Sequence, residues 1–365
     1  MAGVAGCFWT APGLYRPMAG RPPQAQPPVN PMREAGTLVK LQLSIAVGDY
    51  DRMRPLMDGE VQIDGVEPVF MRLSPEEIFF RALRSAEFDV CELSLSSFTV
   101  NTARGQSPYV GVPVFPSRAF RHSSIFVRTD RVSSPGDLRG KRVGVPEYQL
   151  TANVWARAIL EDDHGVRPAD VTWVRGGLNE PGRVEKVSLS LPADIRIEEA
   201  PAGDTLSAML ERGDIDGVIA PRSPRGFGVV PNVGWLFPDP IAAGSDYFRR
   251  TGVFPIMHLL GVRRTIAEQH PWLPGALLKA FEASKNLAME RLNDESASKA
   301  TLPFVELQVQ RIRQLMGDDY WPYGIAPNLK VLTTFLDHHH RQGLSQRLVT
   351  PEELFHPATR ETFKV

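Results

Sequence analysis

The sequence predicts an α/β protein of two lobes, in which the second lobe is inserted into the first. Three observations predict this class. Short apolar or alternating segments are followed by helical segments, which is typical of mostly parallel sheets flanked by helices. The 365 residues suffice for roughly two domains of about 150 residues each. An apolar strand pattern also recurs late, after residue 252, where it can rejoin the first sheet.

The first lobe, predicted at 38–128 plus 245–365, begins with a strand at 39–47 that is rich in branched residues and alternates in polarity. Residues 74–77 (SPEE) predict a helix start, because serine suits the cap, proline the first turn and glutamate the third position. The other elements predicted here are strands at 62–70, 88–93, 109–115 and 124–127, a helix from 94, a strand after 252, and helical patterns at 274–316 and 328–336.

The second lobe is predicted at 129–244. Its elements are a strand within 138–145, a helix at 152–160, a strand at 171–174, a helix at 205–211 and a strand at 216–220. The chain is expected to cross between the lobes near 115–130 and again near 240–255. Ligands of such sheets bind beyond the carboxyl ends of the strands, and clefts between domains are common pockets. We therefore expect the functional site in the cleft between the lobes.

Residues 1–37 are predicted to form a disordered, proline-rich arm. Seven of the 32 prolines lie in the first 31 residues, and the first 33 residues contain three arginines and no acidic residue. Residues 4–7 (VAGC) resemble a lipoprotein cleavage box, but no apolar stretch precedes them as an export signal requires. We therefore expect a cytoplasmic protein.

Composition argues against several classes of partner. Lys+Arg 41 against Asp+Glu 42 gives a net charge of -1, whereas nucleic-acid binders usually carry a basic excess, so no nucleic-acid partner is predicted. The longest apolar run, 252–262, is too short to span a bilayer, so no membrane association is predicted. Two cysteines cannot supply a four-thiolate zinc site. The histidines at 338–340 diverge by about 100° per residue on a helix, so we predict a surface helix end and no metal ligands.

Several stretches resemble a known family. The order of elements resembles the type II periplasmic-binding-protein fold, and residues 134–145 (SPGDLRGKRVGV) resemble the opening of its second lobe. Five further stretches look similar to the 4,5-dihydroxyphthalate decarboxylases, an enzyme family on that fold: 48–52 (GDYDR), 73–81 (LSPEEIFFR), 91–97 (CELSLSS), 111–122 (GVPVFPSRAFRH) and 144–152 (GVPEYQLTA). The resemblance covers about Leu41 to the C-terminus and leaves out the arm.

The resemblance implies a carboxy-lyase that converts 4,5-dihydroxyphthalate, or a related aromatic hydroxy-dicarboxylate, to protocatechuate and carbon dioxide. Such a site needs a cation for the retained carboxylate, an acid at the ring carbon and a base near the phenol. Each carboxylate is para to a hydroxyl, so protonation of the ring carbon can precede loss of carbon dioxide without an electron-sink cofactor. We predict no cofactor, and the sequence leaves a divalent-metal requirement open.

Three residues are candidate proton-transfer groups. His122 lies at the predicted crossover and can titrate near neutral pH. Glu147 lies between a strand end and a helix start, where a carboxylate acts as a base or merely caps the helix. His258 lies in an apolar strand that is expected to return near the cleft, either as a proton-transfer group or as a satisfied core residue. The sequence does not tell which of them is acid and which is base.

The candidate substrate-binding residues follow strand ends and begin helices. Arg118 and Arg121 lie on the crossover, where each can hold a carboxylate with two hydrogen bonds, the alternative being a solvated basic loop. The remaining candidates are Asp49, Tyr50 and Arg52 after the first strand, Ser94 and Ser97 at the next helix start, Tyr148, Gln149 and Thr151 around the start of the 152–160 helix, and Arg222 after the 216–220 strand.

Other functions on the same fold stay open. A solute-binding protein of an ABC-type transporter could bind a small carboxylate without catalysis, although the missing export signal favours an enzyme. Pyrimidine-precursor synthases carry a cysteine-rich motif that two cysteines cannot provide, whereas chorismate-type dehydratases remain an alternative. The predicted partner is a small aromatic dicarboxylate, and a homo-oligomer is compatible with the sequence.

Overall fold

The structure is a computed structural model that describes residues 40–360, so the predicted arm at 1–37 lies outside the described residues. The strands are β1 Leu41–Val47, β2 Val66–Arg72, β3 Val90–Ser94, β4 Tyr109–Arg118, β5 Ile125–Arg128, β6 Arg142–Val145, β7 Thr172–Arg175, β8 Arg196–Glu199, β9 Gly217–Ile219, β10 Val233–Trp235 and β11 Ile256–Arg263. The α-helices are α1 Arg54–Met57, α2 Pro75–Ser85, α3 Leu95–Ala103, α4 Thr151–His164, α5 Leu206–Arg212, α6 Pro240–Thr251, α7 Arg264–Gln269, α8 Leu273–Leu292, α9 Val305–Met316, α10 Leu329–Arg341 and α11 Pro351–Leu354.

The first sheet has five strands in the order β2-β1-β3-β11-β4. β1 is parallel to β2 and β3, whereas β11 is antiparallel to β3 and β4. All five residues of β3 are buried, because helices and neighbouring strands cover both of its faces. β11 therefore brings the chain back to the middle of a sheet that began more than 200 residues earlier.

The second sheet has six strands in the order β10-β5-β9-β6-β7-β8, all supplied by the chain between β4 and β11. β6 is parallel to β7 and β9, and β5 is antiparallel to β9 and β10. The predicted class, an α/β fold with the second unit inserted in the first, is confirmed by this chain path. The lobe boundaries at 128/129 and 244/245 stay predictions.

Some local elements differ from the predictions. The strand predicted at 124–127, within the range given for the first lobe, is β5, which hydrogen-bonds into the second sheet through β9 and β10. The 274–316 helical pattern is two helices, α8 and α9, separated by an irregular stretch in which Phe304 adopts φ 64°. β8, β10 and α6 were not predicted, because β8 has one apolar residue in four, β10 is three residues long, and α6 carries Pro, Gly and Ser.

Helix starts follow strand ends at three points around the site. Ser94 ends β3, and its Oγ accepts a hydrogen bond of 3.5 Å from the Ser97 amide at the start of α3. Tyr50 follows β1, and Glu147 follows β6 just before α4. These strand ends bring side chains of both sheets together at one cavity. Over residues 40–360 we find no helix whose length and hydropathy would let it cross a membrane.

Candidate active site

A cavity of about 820 Å³ lies at these strand ends, within the usual range for small-molecule sites. It is lined by side chains that follow strands of both sheets. Seven of the fourteen predicted site residues line it: Tyr50, Ser94, Arg121, Glu147, Thr151, Arg222 and His258. The structure therefore brings together residues that are up to 208 positions apart in the sequence.

The carboxylate of Glu92, fully buried in β3, joins His258 to Tyr50. Its Oε1 lies 2.5 Å from Nδ1 of His258 on β11 and accepts a 2.7 Å hydrogen bond from the Tyr50 hydroxyl. Its Oε2 accepts a 2.9 Å hydrogen bond from the Gly48 amide. With Nδ1 occupied in this way, the imidazole orientation is fixed and Nε2 is the ring nitrogen left for a ligand. This arrangement suits a proton-transfer group held in place by a carboxylate.

The ionisation of this network follows from its partners. Burial alone would raise the pKa of Glu92, but the His258 imidazole and the hydrogen bonds from His258, Gly48 and Tyr50 together hold it below its usual range. Burial, and then the neighbouring Glu92 carboxylate, raise the pKa of Tyr50 well above its usual value. Glu92 is therefore ionised and Tyr50 is a neutral hydroxyl at neutral pH. The Phe79 ring meets the His258 ring edge-on, with centroids 4.8 Å apart, and gives the imidazole an apolar neighbour.

Arg121 is the cation in this cavity that lacks an acidic partner. Its Nε donates to the Met257 sulfur at 3.0 Å and its Nη1 to Ser124 Oγ at 3.3 Å. Among residues 40–360, no carboxylate lies within ion-pair distance of it. Burial lowers the pKa of Arg121 to about 10, which still leaves it charged at neutral pH. A desolvated cation without a counter-charge is suited to bind an anion that enters the cavity.

Glu147 lines the cavity but its carboxylate is already occupied. Its Oε1 accepts hydrogen bonds from Nε of Arg183 at 2.8 Å and from Nζ of Lys186 at 2.5 Å. Both cations come from the irregular segment between β7 and β8. Because both cations already occupy this carboxylate, the geometry does not favour the predicted role of catalytic base.

Hydroxyl groups form a connected strip at the starts of α3 and α4. The hydroxyls of Ser94 and Thr151 lie 3.0 Å apart, and both residues line the cavity. Ser97 and Gln149 lie behind them: with the Gln149 amide oriented to satisfy both of its ends, its nitrogen donates to Ser97 Oγ and its oxygen accepts from the Lys186 and Val187 amides. Ser97 and Gln149 thus support the cavity wall without lining it.

Arg222 lines the cavity mouth, where it pairs with an acid of the first sheet's helix α2. Its Nη2 lies 2.9 Å from the Glu76 carboxylate, and both side chains are partly exposed. An exposed ion pair of this kind contributes at most about 1 kcal/mol. Arg222 is therefore available to exchange Glu76 for an anionic ligand at little cost.

The other predicted arginines serve the fold. Arg118 is buried, and its guanidinium donates to the backbone oxygens of Phe254 and Pro322 and to the Asn328 side chain. Burial lowers its pKa to about 9. The Arg52 guanidinium stacks on the rings of Tyr50 and Trp321 and donates to the Pro116 carbonyl. Neither lines the cavity, and the Nη atoms of Arg118 and the Nε of Arg52 donate to protein groups, so a direct role in substrate binding is not favoured.

Three further predicted residues lie away from the cavity. Asp49 is half-exposed and pairs with Arg54 at 2.7 Å. Tyr148 is fully buried, with the Arg157 guanidinium 3.8 Å from its ring centroid. His122 is buried against the rings of Phe237 and Tyr247, and its Nδ1 has no hydrogen-bond partner among the described residues. These positions do not suit the predicted contacts with substrate.

His122 gives a test by pH. Burial lowers its pKa to about 4, with smaller contributions from nearby charges of both signs. Its folded pKa lies below the unfolded value of about 6.5, so the unfolded state takes up a proton first and stability falls as pH drops from about 6.5 to about 4. His122→Phe is expected to remove this loss, which reaches at most about 3.5 kcal/mol over the whole interval at about 1.4 kcal/mol per pKa unit. Urea unfolding at pH 7 and pH 5 measures this loss of stability. The control His270→Phe should keep the wild-type difference, and an unchanged difference in His122→Phe would contradict the buried neutral ring.

Three charged residues of the site were not predicted from the sequence. Glu92 sits in the stretch FDVCEL, where an acid inside an apolar strand signals a buried partner, but that partner, His258, is 166 positions away. Arg183 and Lys186 lie in a segment without periodicity, and nothing local indicates where they point.

The histidines at 338–340 were predicted at the surface, yet His338 and His339 are buried. His338 is hydrogen-bonded to Asp162, and His339 to Ser96 and Ser345. Within 40–360, His, Cys, Asp and Glu side chains nowhere form a group of three or more that could hold a metal.

Comparison with known proteins identifies the family of the chain. It is 61% identical over 328 residues to the 4,5-dihydroxyphthalate decarboxylase of Comamonas testosteroni, covering 89% of this chain and 99% of that protein. The chain belongs to the 4,5-dihydroxyphthalate decarboxylase family. A second member, from Pseudomonas putida, is 62% identical over 219 residues, or 60% of this chain and 85% of that protein. No protein-family model matches this decarboxylase family member.

Solved structures align with this member of the decarboxylase family at low identity. One is the periplasmic aliphatic sulphonate binding protein of Escherichia coli, at 14% identity and a TM-score of 0.47, covering 88% of this chain and 99% of that one. Another is a Candida albicans gene product described as having the generic periplasmic binding protein fold. It has 10% identity and a TM-score of 0.43, and the alignment covers 86% of this chain and 93% of that one.

Proposed function

We propose that this chain is a carboxy-lyase that converts 4,5-dihydroxyphthalate to protocatechuate and carbon dioxide without oxidation. The observation that carries the proposal is the 61% identity to the Comamonas testosteroni enzyme along 99% of that enzyme's length. The cavity adds chemical support, since it offers a small aromatic dianion a positioned imidazole and Arg121, a cation without an acidic partner among the described residues.

The reaction consumes one proton. The ring carbon that bears the leaving carboxylate gains a proton, the bond to that carboxylate breaks, and its electron pair restores the aromatic ring as carbon dioxide departs. The dianionic substrate plus one proton thus gives the monoanionic product plus carbon dioxide. We assign the proton transfer at the ring carbon to His258 Nε2, with Glu92 stabilising the charged imidazole and Tyr50 holding Glu92 in place.

Arg121 is assigned to a substrate carboxylate. Arg121→Gln is expected to raise KM for 4,5-dihydroxyphthalate by about 10-fold to 100-fold with a smaller effect on kcat, because a charge-assisted hydrogen bond contributes about 1.5–3 kcal/mol. Steady-state kinetics measure both constants. Arg128→Gln is a suitable control, since Arg128 pairs with Asp130 outside the cavity. A kcat/KM within about threefold of wild type would remove Arg121 from the site.

Turnover tests the function itself. Purified protein incubated with 4,5-dihydroxyphthalate should produce protocatechuate in NMR spectra, with equimolar carbon dioxide. Substrate that binds but stays intact would contradict the enzyme and favour a carboxylate-binding protein. The aromatic dicarboxylate partner rests on the same relatives, and the cytoplasmic location stays a prediction.

A further inference from the structure

Part of the cavity wall is supplied by an irregular segment between β7 and β8. Residues from Gly177 to Lys186 line the cavity, with Glu185 as the exception. Both ends of this stretch are fixed. The Gly177 and Leu178 carbonyls accept hydrogen bonds from the Leu206 and Ser207 amides at the start of α5, and the Tyr148 amide donates to Glu185 at 2.5 Å. The segment is thus a built wall that holds its side chains in place.

Two cations of this wall pair with the same acid. Arg183 and Lys186 share a single oxygen, Oε1 of Glu147, which is almost fully buried. Within the described residues, neither cation has another carboxylate in ion-pair distance. Two cations thus share one carboxylate beside the open cavity, while the largely buried side chain of Glu185, next to Lys186 in the chain, lies 3.7 Å from Arg175 and does not line the cavity.

The remaining acids of the cavity wall have cationic partners. Glu76 pairs with Arg222 and Glu180 with Arg225, while Glu77 shares Arg81 with Glu87. Among the described residues Arg121 has no carboxylate within ion-pair distance, and Arg183 and Lys186 share one, so the wall presents positive charge to a ligand at two separate places. Two separate positive charges complement a ligand with two carboxylates.

We propose that Arg183 and Lys186, positioned by Glu147, form a second carboxylate-binding corner that makes the site selective for aromatic dicarboxylates over monocarboxylates. The proposal deepens the proposed function and rests on it for the identity of the substrate. Arg121 binds one carboxylate and the Arg183–Lys186 corner binds the other. Glu147 is a positioning residue: it holds the two cations at the wall and takes no part in proton transfer.

Binding of two unreactive probes tests the proposal. Phthalate has two carboxylates and no hydroxyls, and benzoate has one carboxylate. Calorimetric titration should show that Arg183→Gln and Lys186→Met each weaken phthalate by about 10-fold to 100-fold but benzoate by less than about threefold. Arg225→Gln is the matched control, because it removes a cation paired with Glu180 of the same segment from outside the cavity, and it should leave both affinities unchanged.

Further variants separate recognition from folding. Lys186→Arg keeps the charge and should retain the preference for phthalate. Glu147→Gln should lower that preference and raise KM, while the pH–rate profile keeps its wild-type shape. An equal loss for both probes, or no loss, would overturn the second corner, and a lost limb in the Glu147→Gln profile would make Glu147 a base instead. Since neither probe reacts, absence of turnover would overturn the proposed function alone.

Discussion

Replacing His258 with asparagine is expected to lower kcat by about 10²-fold to 10⁴-fold, the usual contribution of a positioned proton-transfer group. Asparagine keeps a polar side chain beside Glu92 but cannot deliver a proton to the ring carbon. Binding of phthalate should stay within about threefold of wild type, because Arg121 and the Arg183–Lys186 corner are untouched. Steady-state kinetics and phthalate titration together measure the two effects.

His270→Asn is the matched control for that experiment. His270 lies on the surface beside Trp272, outside the cavity, so its kinetics should equal those of wild type. A His258→Asn variant that retained kcat within about threefold would remove His258 from proton transfer. A variant that lost phthalate binding instead would show that the imidazole maintains the shape of the cavity.

Replacing Glu92 with glutamine should have the largest effect on stability. The change removes the buried carboxylate that contacts the His258 imidazole and leaves the Gly48 amide facing an amide nitrogen or a weaker acceptor. Removing one partner of a buried ion pair costs about 3–5 kcal/mol. We expect the free energy of unfolding at pH 7 to fall by that amount, as measured by urea unfolding.

The effect of Glu92 also has a defined pH dependence. Its folded pKa lies below its unfolded value of about 4.3, so its stabilisation is complete above that pH and is lost as pH falls through the lower folded pKa. The difference in free energy of unfolding between wild type and Glu92→Gln should therefore decrease at acidic pH. The control Glu60→Gln breaks an exposed pair with Arg291 and should leave the free energy of unfolding close to that of wild type. A Glu92→Gln protein as stable as this control would contradict the buried pair.

Most of the fold was predictable because its signals are local. The alternation in β1, the cap at Ser74 and the apolar run of β11 each depend on neighbouring residues, and these elements lie within a few residues of their predicted positions. β8 and α6 escaped prediction, since an exposed four-residue edge strand and a helix rich in small residues have weak patterns.

The site was predicted less completely because side-chain direction depends on distant contacts. Arg118 and Arg121 are three positions apart with the same chemistry, yet Arg118 points to the carbonyls of Phe254 and Pro322 while Arg121 faces the cavity. Glu147 lines the cavity, but its partners come from a segment 36 and 39 residues further on. Only the folded chain shows that its carboxylate is already paired.

A crystal structure of the complex with phthalate tests the central claim most directly, because phthalate fills the site without reacting. We predict that one carboxylate contacts Arg121, the other contacts Arg183 and Lys186, and a carboxylate-bearing ring carbon lies about 3–3.5 Å from Nε2 of His258, the separation that proton transfer requires. Phthalate bound elsewhere, or bound in this cavity with its ring away from His258, would contradict the account.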